Sequence, residues 1–194
     1  MNPFRLRRES AQFLMVDVQE KLIPAISGHE AILENILKLA AASKELSVPF
    51  LFTEQNPRGL GCTSGAILEA VGKTAPRFEK IHFSCCDEEG FQTFLSRQER
   101  SVTVVFGIET HICVLATVLD LLEKGRSVAV AADASGSRDA CHAALALSAM
   151  TAAGALVIPS ETVIYHLMGR AGTPEFKALL PLFKAKPGTG KASS

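Results

Sequence analysis

Six short apolar runs recur along the chain, and stretches with helical spacing lie between most of them. The runs are Gln12–Val16, Pro49–Phe52, Ile81–Phe83, Val102–Phe106, Ser127–Ala132 and Leu156–Ile158. Helical patterns fall at His29–Leu46, Glu88–Arg97, His111–Lys124, Asp139–Ala153, Glu161–Met168 and Thr173–Phe183, the last opened by a Thr-Pro cap signal. Continuous apolar strands alternating with amphipathic helices predict an α/β fold, a parallel sheet covered on both faces. The third run is brief and carries His82, so it is the least regular of the six. With 194 residues, 47% of them hydrophobic, the chain is read as one domain with a sizeable core. Residues 1–10 are expected to form an arm, 11–184 the domain, and the turn-rich stretch 185–194 a flexible tail.

Formal net charge is zero, from 20 basic and 20 acidic residues. That balance argues against non-specific nucleic-acid binding, which relies on a basic surface, and the low aromatic content leaves few platforms for stacked bases. Five cysteines without a Cys-x-x-Cys pair indicate neither a disulfide framework nor a zinc ribbon, and suit a reducing compartment. No apolar stretch approaches the ~20 residues of a membrane span. The N-terminal segment holds three arginines but no long apolar region, so it does not read as a secretory signal. A cytoplasmic protein is expected, with a mitochondrial destination as the alternative.

The densest chemical signal follows the fourth run. Gly107 closes it, and Ile108-Glu109-Thr110-His111-Ile112-Cys113 leads into a helical pattern with apolar Ile112, Leu115, Leu119 and Leu122. Cys113 is thereby expected in the first turn of a helix at the carboxyl end of a strand, where open α/β sheets place their sites. Unpaired N–H groups and the positive dipole end would favour a thiolate there, with a pKa below the ~8.5 of a free cysteine. A small buried hydrophobe is the competing reading.

Asp17 ends the first run, and a carboxylate after four apolar residues needs a partner or a solvated cleft. Lys80 stands just before the third run. If strands one, three and four present neighbouring ends, Asp17, Lys80 and Cys113 supply a base, a cation and a sulfur nucleophile, the parts of covalent acyl transfer. Gln19, Thr53, Gln55 and Ser84 are candidate pocket residues, each equally readable as a turn or cap residue. Cys85 and Cys86 read as partly buried thiols, and Cys141 and His142 as structural.

These residues resemble a known family. Asp17-Val18-Gln19, Lys80 and Gly107-Ile108-Glu109-Thr110-His111-Ile112-Cys113 are similar to the three signature positions of the isochorismatase-like cysteine hydrolases. Thr53-Glu54-Gln55-Asn56-Pro57-Arg58-Gly59-Leu60-Gly61, Asp120–Gly125 and Asp133–Arg138 bring the likeness closest to the eukaryotic isochorismatase-domain-containing proteins. It spans roughly residues 11–184. The resemblance implies a three-layer sandwich with a six-stranded parallel sheet of order 3-2-1-4-5-6. It also implies a cis peptide joining Ile108 and Glu109, which turns the amide of Glu109 inward beside that of Cys113 as an oxyanion hole.

By the same resemblance, a Cys113-Asp17-Lys80 triad would cleave a small amide, ureide or related C–N bond through a thioester. A non-enzymatic interaction protein of this fold, or a ribonuclease-labelled relative acting on RNA, are the alternatives. Nicotinamidases of the superfamily bind a metal through an aspartate and histidines after the second strand. Residues 53–59 contain no histidine, so neither a metal nor any other cofactor is expected. Relatives that hydrolyse isochorismate break a vinyl ether without the cysteine, so Cys113 favours amide chemistry. The expected partners are a small-molecule substrate and further copies of the chain, because Asp139–Ala153 is apolar on nearly every face and needs cover on more than one side.

Overall fold

The computed structural model describes residues 5–72 and 74–184, so the expected tail at 185–194 and the start of the arm lie outside the described residues. Six strands form one wholly parallel sheet in the order β3-β2-β1-β4-β5-β6. They are β1 (Ala11–Val16), β2 (Phe50–Gln55), β3 (Arg77–Lys80), β4 (Val102–Ile108), β5 (Ser127–Gly136) and β6 (Leu156–Ile158). The helices are α1 (His29–Leu46), α2 (Pro57–Leu60), α3 (Gly65–Val71), α4 (Phe91–Ser96), α5 (Leu115–Glu123), α6 (Ala140–Ala152), α7 (Ser160–Met168) and α8 (Pro174–Leu179). None among the described residues is long and apolar enough to cross a membrane.

Successive side chains of a strand point to opposite faces, so each central strand feeds two cores. Phe13, Met15, Phe52, Val104 and Phe106 pack with Ile36 and Leu39 of α1 and Val163, Ile164 and Leu167 of α7. Leu14, Val16, Leu51, Val105 and Val130 pack on the other face with Phe91 and Leu95 of α4, Val118 and Leu121 of α5 and Met150 of α6. Edge-to-face contacts among Phe13, Phe50 and Phe106, with ring centroids 5.7–6.1 Å apart, tie β1, β2 and β4 together in the first core. Leu6, from the expected arm, is buried in that same core.

The third strand departs from the expectation. It is Arg77–Lys80, and Ile81–Phe83 follows it as a loop with Ile81 and Phe83 each 65% exposed. The carboxylate of Glu88 accepts the N–H groups of Ile81 (2.8 Å) and His82 (3.2 Å), satisfying donors that would otherwise seek a ladder. An edge strand can be polar, because one side of its backbone and part of its side-chain surface face water. The shift moves Lys80 from before the strand to its carboxyl end.

Gly107 fixes how closely β4 approaches β1. Its φ is +124°, and a Cβ there would lie 2.2 Å from the Val16 carbonyl oxygen and 2.7 Å from the Val16 nitrogen. Backbone cannot yield as a flexible side chain can. Gly107→Ala is expected to destabilise the fold by about 2–4 kcal/mol, from the positive φ and the overpacking together. Urea denaturation checks this, and a change within ~0.5 kcal/mol, the range of neutral surface substitutions, would reject it.

Candidate active site

β1, β3 and β4 are parallel and end at the same side of the sheet, where Asp17, Lys80 and Cys113 come together. Asp17 directly follows β1 and takes a left-handed backbone conformation (φ 55°), which aspartate tolerates better than most residues. Its carboxylate is fully buried. Oδ1 accepts a 2.7 Å hydrogen bond from the Thr53 hydroxyl, and Oδ2 lies 2.7 Å from Lys80 Nζ. β2 separates β1 from β3, so a side chain on β3 must cross about 10 Å, two strand spacings, to reach Asp17. A lysine stem is long enough to do so.

Lys80 is itself 2% exposed. Burial is the largest single influence and lowers its pKa, but the Asp17 carboxylate, with Cys85 and Cys113 adding to it, holds the ammonium above its ordinary range. Gln55, the last residue of β2 and the register partner of Lys80, accepts from Nζ at 2.6 Å. The carbonyls of His82 and Phe83 accept from it at 3.1 and 3.3 Å.

Cys113 lies in the first helical turn after β4, as its spacing suggested, but that turn is not α-helical. Thr110–Val114 forms a wide π-helical turn, and α5 begins only at Leu115. Within the turn Ile112 and Val114 donate to the Glu109 carbonyl, and the Ile108–Glu109 peptide bond is cis. Glu109 accepts from the Arg138 backbone (2.9 Å) and Nε (3.1 Å), while His111 Nδ1 meets Ser137 Oγ at 2.9 Å. These contacts pin the turn to the segment that enters α6.

The expected thiolate is corrected as well. Cys113 is 7% exposed, and its pKa is pushed up to about 12, first by burial and then by the negative charge of Asp17. Lys80 opposes the rise without cancelling it. Desolvation is the largest influence on the group, and the resting form is a thiol. Cys85 is fully buried and likewise raised to about 12, by burial and then Asp17.

The four candidate pocket residues all engage the protein itself. Thr53 holds Asp17. Gln19 is buried and brackets the backbone of Gln55, accepting its N–H at 2.8 Å and donating to its carbonyl at 3.0 Å and to that of Gly61 at 2.6 Å. Gln55 bonds Lys80, and Ser84 donates to Asp120 on α5. Sequence reasoning missed that Thr53 and Gln55, and Gln19 through the Gln55 backbone, support the charged pair. Among the described residues, no group of three or more His, Cys, Asp or Glu side chains is placed to hold a metal.

The protonation state of Cys113 can be read from thiolate ultraviolet absorbance across pH, with Cys113→Ser as the reference. The difference signal is expected to stay flat through neutral pH and to develop only above about pH 10, as burial dictates. A midpoint below the ~8.5 of a free thiol would contradict this electrostatic reading.

Residues 11–162 match the isochorismatase domain family. Isochorismatase domain-containing protein 2 of Xenopus laevis is 35% identical over 173 residues, covering 89% of this chain and 83% of its own. The structure of MAR1 ribonuclease from Caenorhabditis elegans superposes with a TM-score of 0.86 at 34% identity, covering 98% of each chain. YcaC from Pseudomonas aeruginosa, solved with hexane-2,5-diol and covalent acrylamide, gives a TM-score of 0.86 at 26% identity over 92% of this chain and 91% of its own. With the six-stranded parallel order and a match over most of its length, this chain belongs to the isochorismatase domain family.

Proposed function

We propose that the chain is a hydrolase that cleaves a small amide, ureide or related C–N bond through a thioester on Cys113. The observation that carries this reading is the buried Asp17–Lys80 pair, 2.7 Å apart, whose electrostatic reach includes the Cys113 thiol. A neutral thiol needs a base, and Asp17 is the base within reach. The covalent acrylamide in the Pseudomonas YcaC structure lends support, since acrylamide is both an amide and an electrophile.

In the proposed reaction the Cys113 proton passes to Asp17 as sulfur attacks the substrate carbonyl carbon. The amides of Glu109 and Cys113 are assigned to the developing oxyanion. The tetrahedral intermediate collapses, the C–N bond breaks, and Asp17 returns the proton to the leaving amine. Water then gives a proton to Asp17 and its hydroxide to the thioester carbonyl. The C–S bond breaks, an acid leaves, and sulfur regains the proton.

A ribonuclease reading comes from the name of the C. elegans structure. Against it stand the zero formal charge and a site whose charged groups face one another inside the protein. An RNA-cleavage assay beside a library of small amides and ureides separates the two. Asp17→Asn keeps the shape of the side chain and removes the base. Turnover of an accepted amide is expected to fall by about 10²–10⁴-fold, the usual worth of a positioned general base, with circular dichroism unchanged. Full activity in folded Asp17→Asn would end the mechanism.

The chain is also proposed to self-associate. Of the thirteen residues in α6 only Ala146 and Met150 are buried, while Leu145 stands 64% exposed. His111, Leu115, His142, Leu145, Ala146 and Ala149 line an open apolar groove of about 380 Å³ along it. A helix apolar on all faces gains by burial, and a second copy is the proposed cover. Light scattering is expected to exceed the 20.7 kDa of one chain, and a 20.7 kDa particle at micromolar concentration would reject the assembly.

A further inference from the structure

A lysine ammonium has three protons and no lone pair. Lys80 Nζ has four oxygens around it: Gln55 Oε1 at 2.6 Å, Asp17 Oδ2 at 2.7 Å, and the carbonyls of His82 and Phe83 at 3.1 and 3.3 Å. Acceptors outnumber protons, so no N–H is left to meet a substrate oxygen. The work of Lys80 is to hold Asp17 in place and to supply charge, and its own direction is set by the acceptors opposite Asp17.

Those acceptors differ in how firmly they are built. The two carbonyls belong to the loop after β3, where Ile81 and Phe83 are largely exposed. Gln55 ends a central strand, and the buried Gln19 amide clamps both its N–H and its C=O. Its side-chain amide has one allowed orientation. Nε2 donates to the Ile81 carbonyl and Oε1 faces the ammonium, whereas the flipped amide would set NH₂ against NH₃⁺.

We infer that Gln55 is a positioning residue, which accepts a hydrogen bond from one N–H of Lys80 and so aims the ammonium, and through it the Asp17 carboxylate, at Cys113. The inference rests on the triad reading above and assigns a role to a side chain that sequence alone placed in the pocket wall. It predicts that the acceptor atom matters rather than the donor. Gln55→Met removes both atoms at nearly constant length. Gln55→Glu keeps an oxygen for Lys80, loses the bond to Ile81 and adds a negative charge beside the ammonium.

The test is the rate at which acrylamide modifies Cys113 at neutral pH, followed by intact-protein and peptide mass spectrometry. In that reaction the Cys113 sulfur bonds to the terminal carbon of the double bond, and the thiol proton passes through Asp17 to the neighbouring carbon. Asp17→Asn and Lys80→Met serve as references, and circular dichroism confirms folding. Gln55→Met is expected to lower the rate by about tenfold or more, within the range of a misdirected general base. Gln55→Glu, which retains an acceptor for Lys80, should react faster than Gln55→Met, and a rate no higher than that of Gln55→Met would overturn the role of the acceptor atom. If Gln55→Met equals the parent while the two reference variants are slow, the role of Gln55 falls and the triad stands. If the reference variants also match the parent, the triad reading itself fails. If Gln55→Met does not fold, Gln55→Leu, which also lacks the acceptor, is measured in its place, and a rate equal to that of the parent would overturn the proposal.

Discussion

A carboxylate and an ammonium, both almost wholly removed from water, face each other at 2.7 Å beneath the carboxyl ends of the strands. Neither ion is stable there alone, since an uncompensated buried charge costs several kcal/mol even after relaxation. Their mutual attraction offsets desolvation only with good geometry and with hydrogen bonds on the remaining atoms. Thr53 supplies one such bond to Asp17, and Gln55 with two loop carbonyls supplies the others to Lys80. Much of the polar structure in this part of the molecule can be read as the upkeep of that pair. Gln19 has no contact with either charge, yet it fixes the backbone of the residue that does.

The pair also decides the state of the nucleophile candidate. Asp17 raises the Cys113 pKa and Lys80 lowers it, and both act on a group already raised by burial. A nearly neutral pair gives little net field, so desolvation dominates and the thiol keeps its proton. A cysteine held this way differs from one activated at an open helix end, where the thiolate exists before substrate arrives. In the proposed reaction deprotonation and attack belong to the same event, which places the demand on the geometry of Asp17.

Much of the architecture was legible in the sequence, because the central strands are buried on both faces and read as continuous apolar runs. β1, β4 and β6 fall within two residues of their expected bounds. β2 runs three residues further than its apolar core suggests, through Thr53, Glu54 and Gln55, each of which has a side-chain partner. β3 was missed for the same reason in stronger form. Arg77-Phe78-Glu79-Lys80 has a single apolar side chain, and its neighbour Ile81-His82-Phe83 looks more strand-like than it is. The motif around Cys113 was legible as a site but not as a turn, because π-helical spacing at Thr110–Val114 leaves no distinct apolar pattern. Gln19 and Gln55 were legible as candidate pocket residues but not as supports of the pair, since their partners lie 25 to 42 residues away.

Local rules tend to break where a fold serves a site. In the central strands they break at one level of the sheet. Val16 pairs with Gly107 across β1 and β4, and the residue after Val16 is Asp17. Gly107 adopts φ +124° and Asp17 φ 55°, two departures from extended backbone within one step of each other on neighbouring strands. Each costs of order 1–3 kcal/mol for a side chain that does not suit it, and glycine and aspartate lessen that cost. The result is geometric. Absence of a Cβ at Gly107 lets β4 close on the Val16 backbone, and the turn at Asp17 ends β1 at that height. β4 continues one residue beyond Gly107, and the chain then bends into the turn that carries Cys113. The β1–β4 ladder stops at this level, and the buried Asp17 carboxylate stands directly after its last pair.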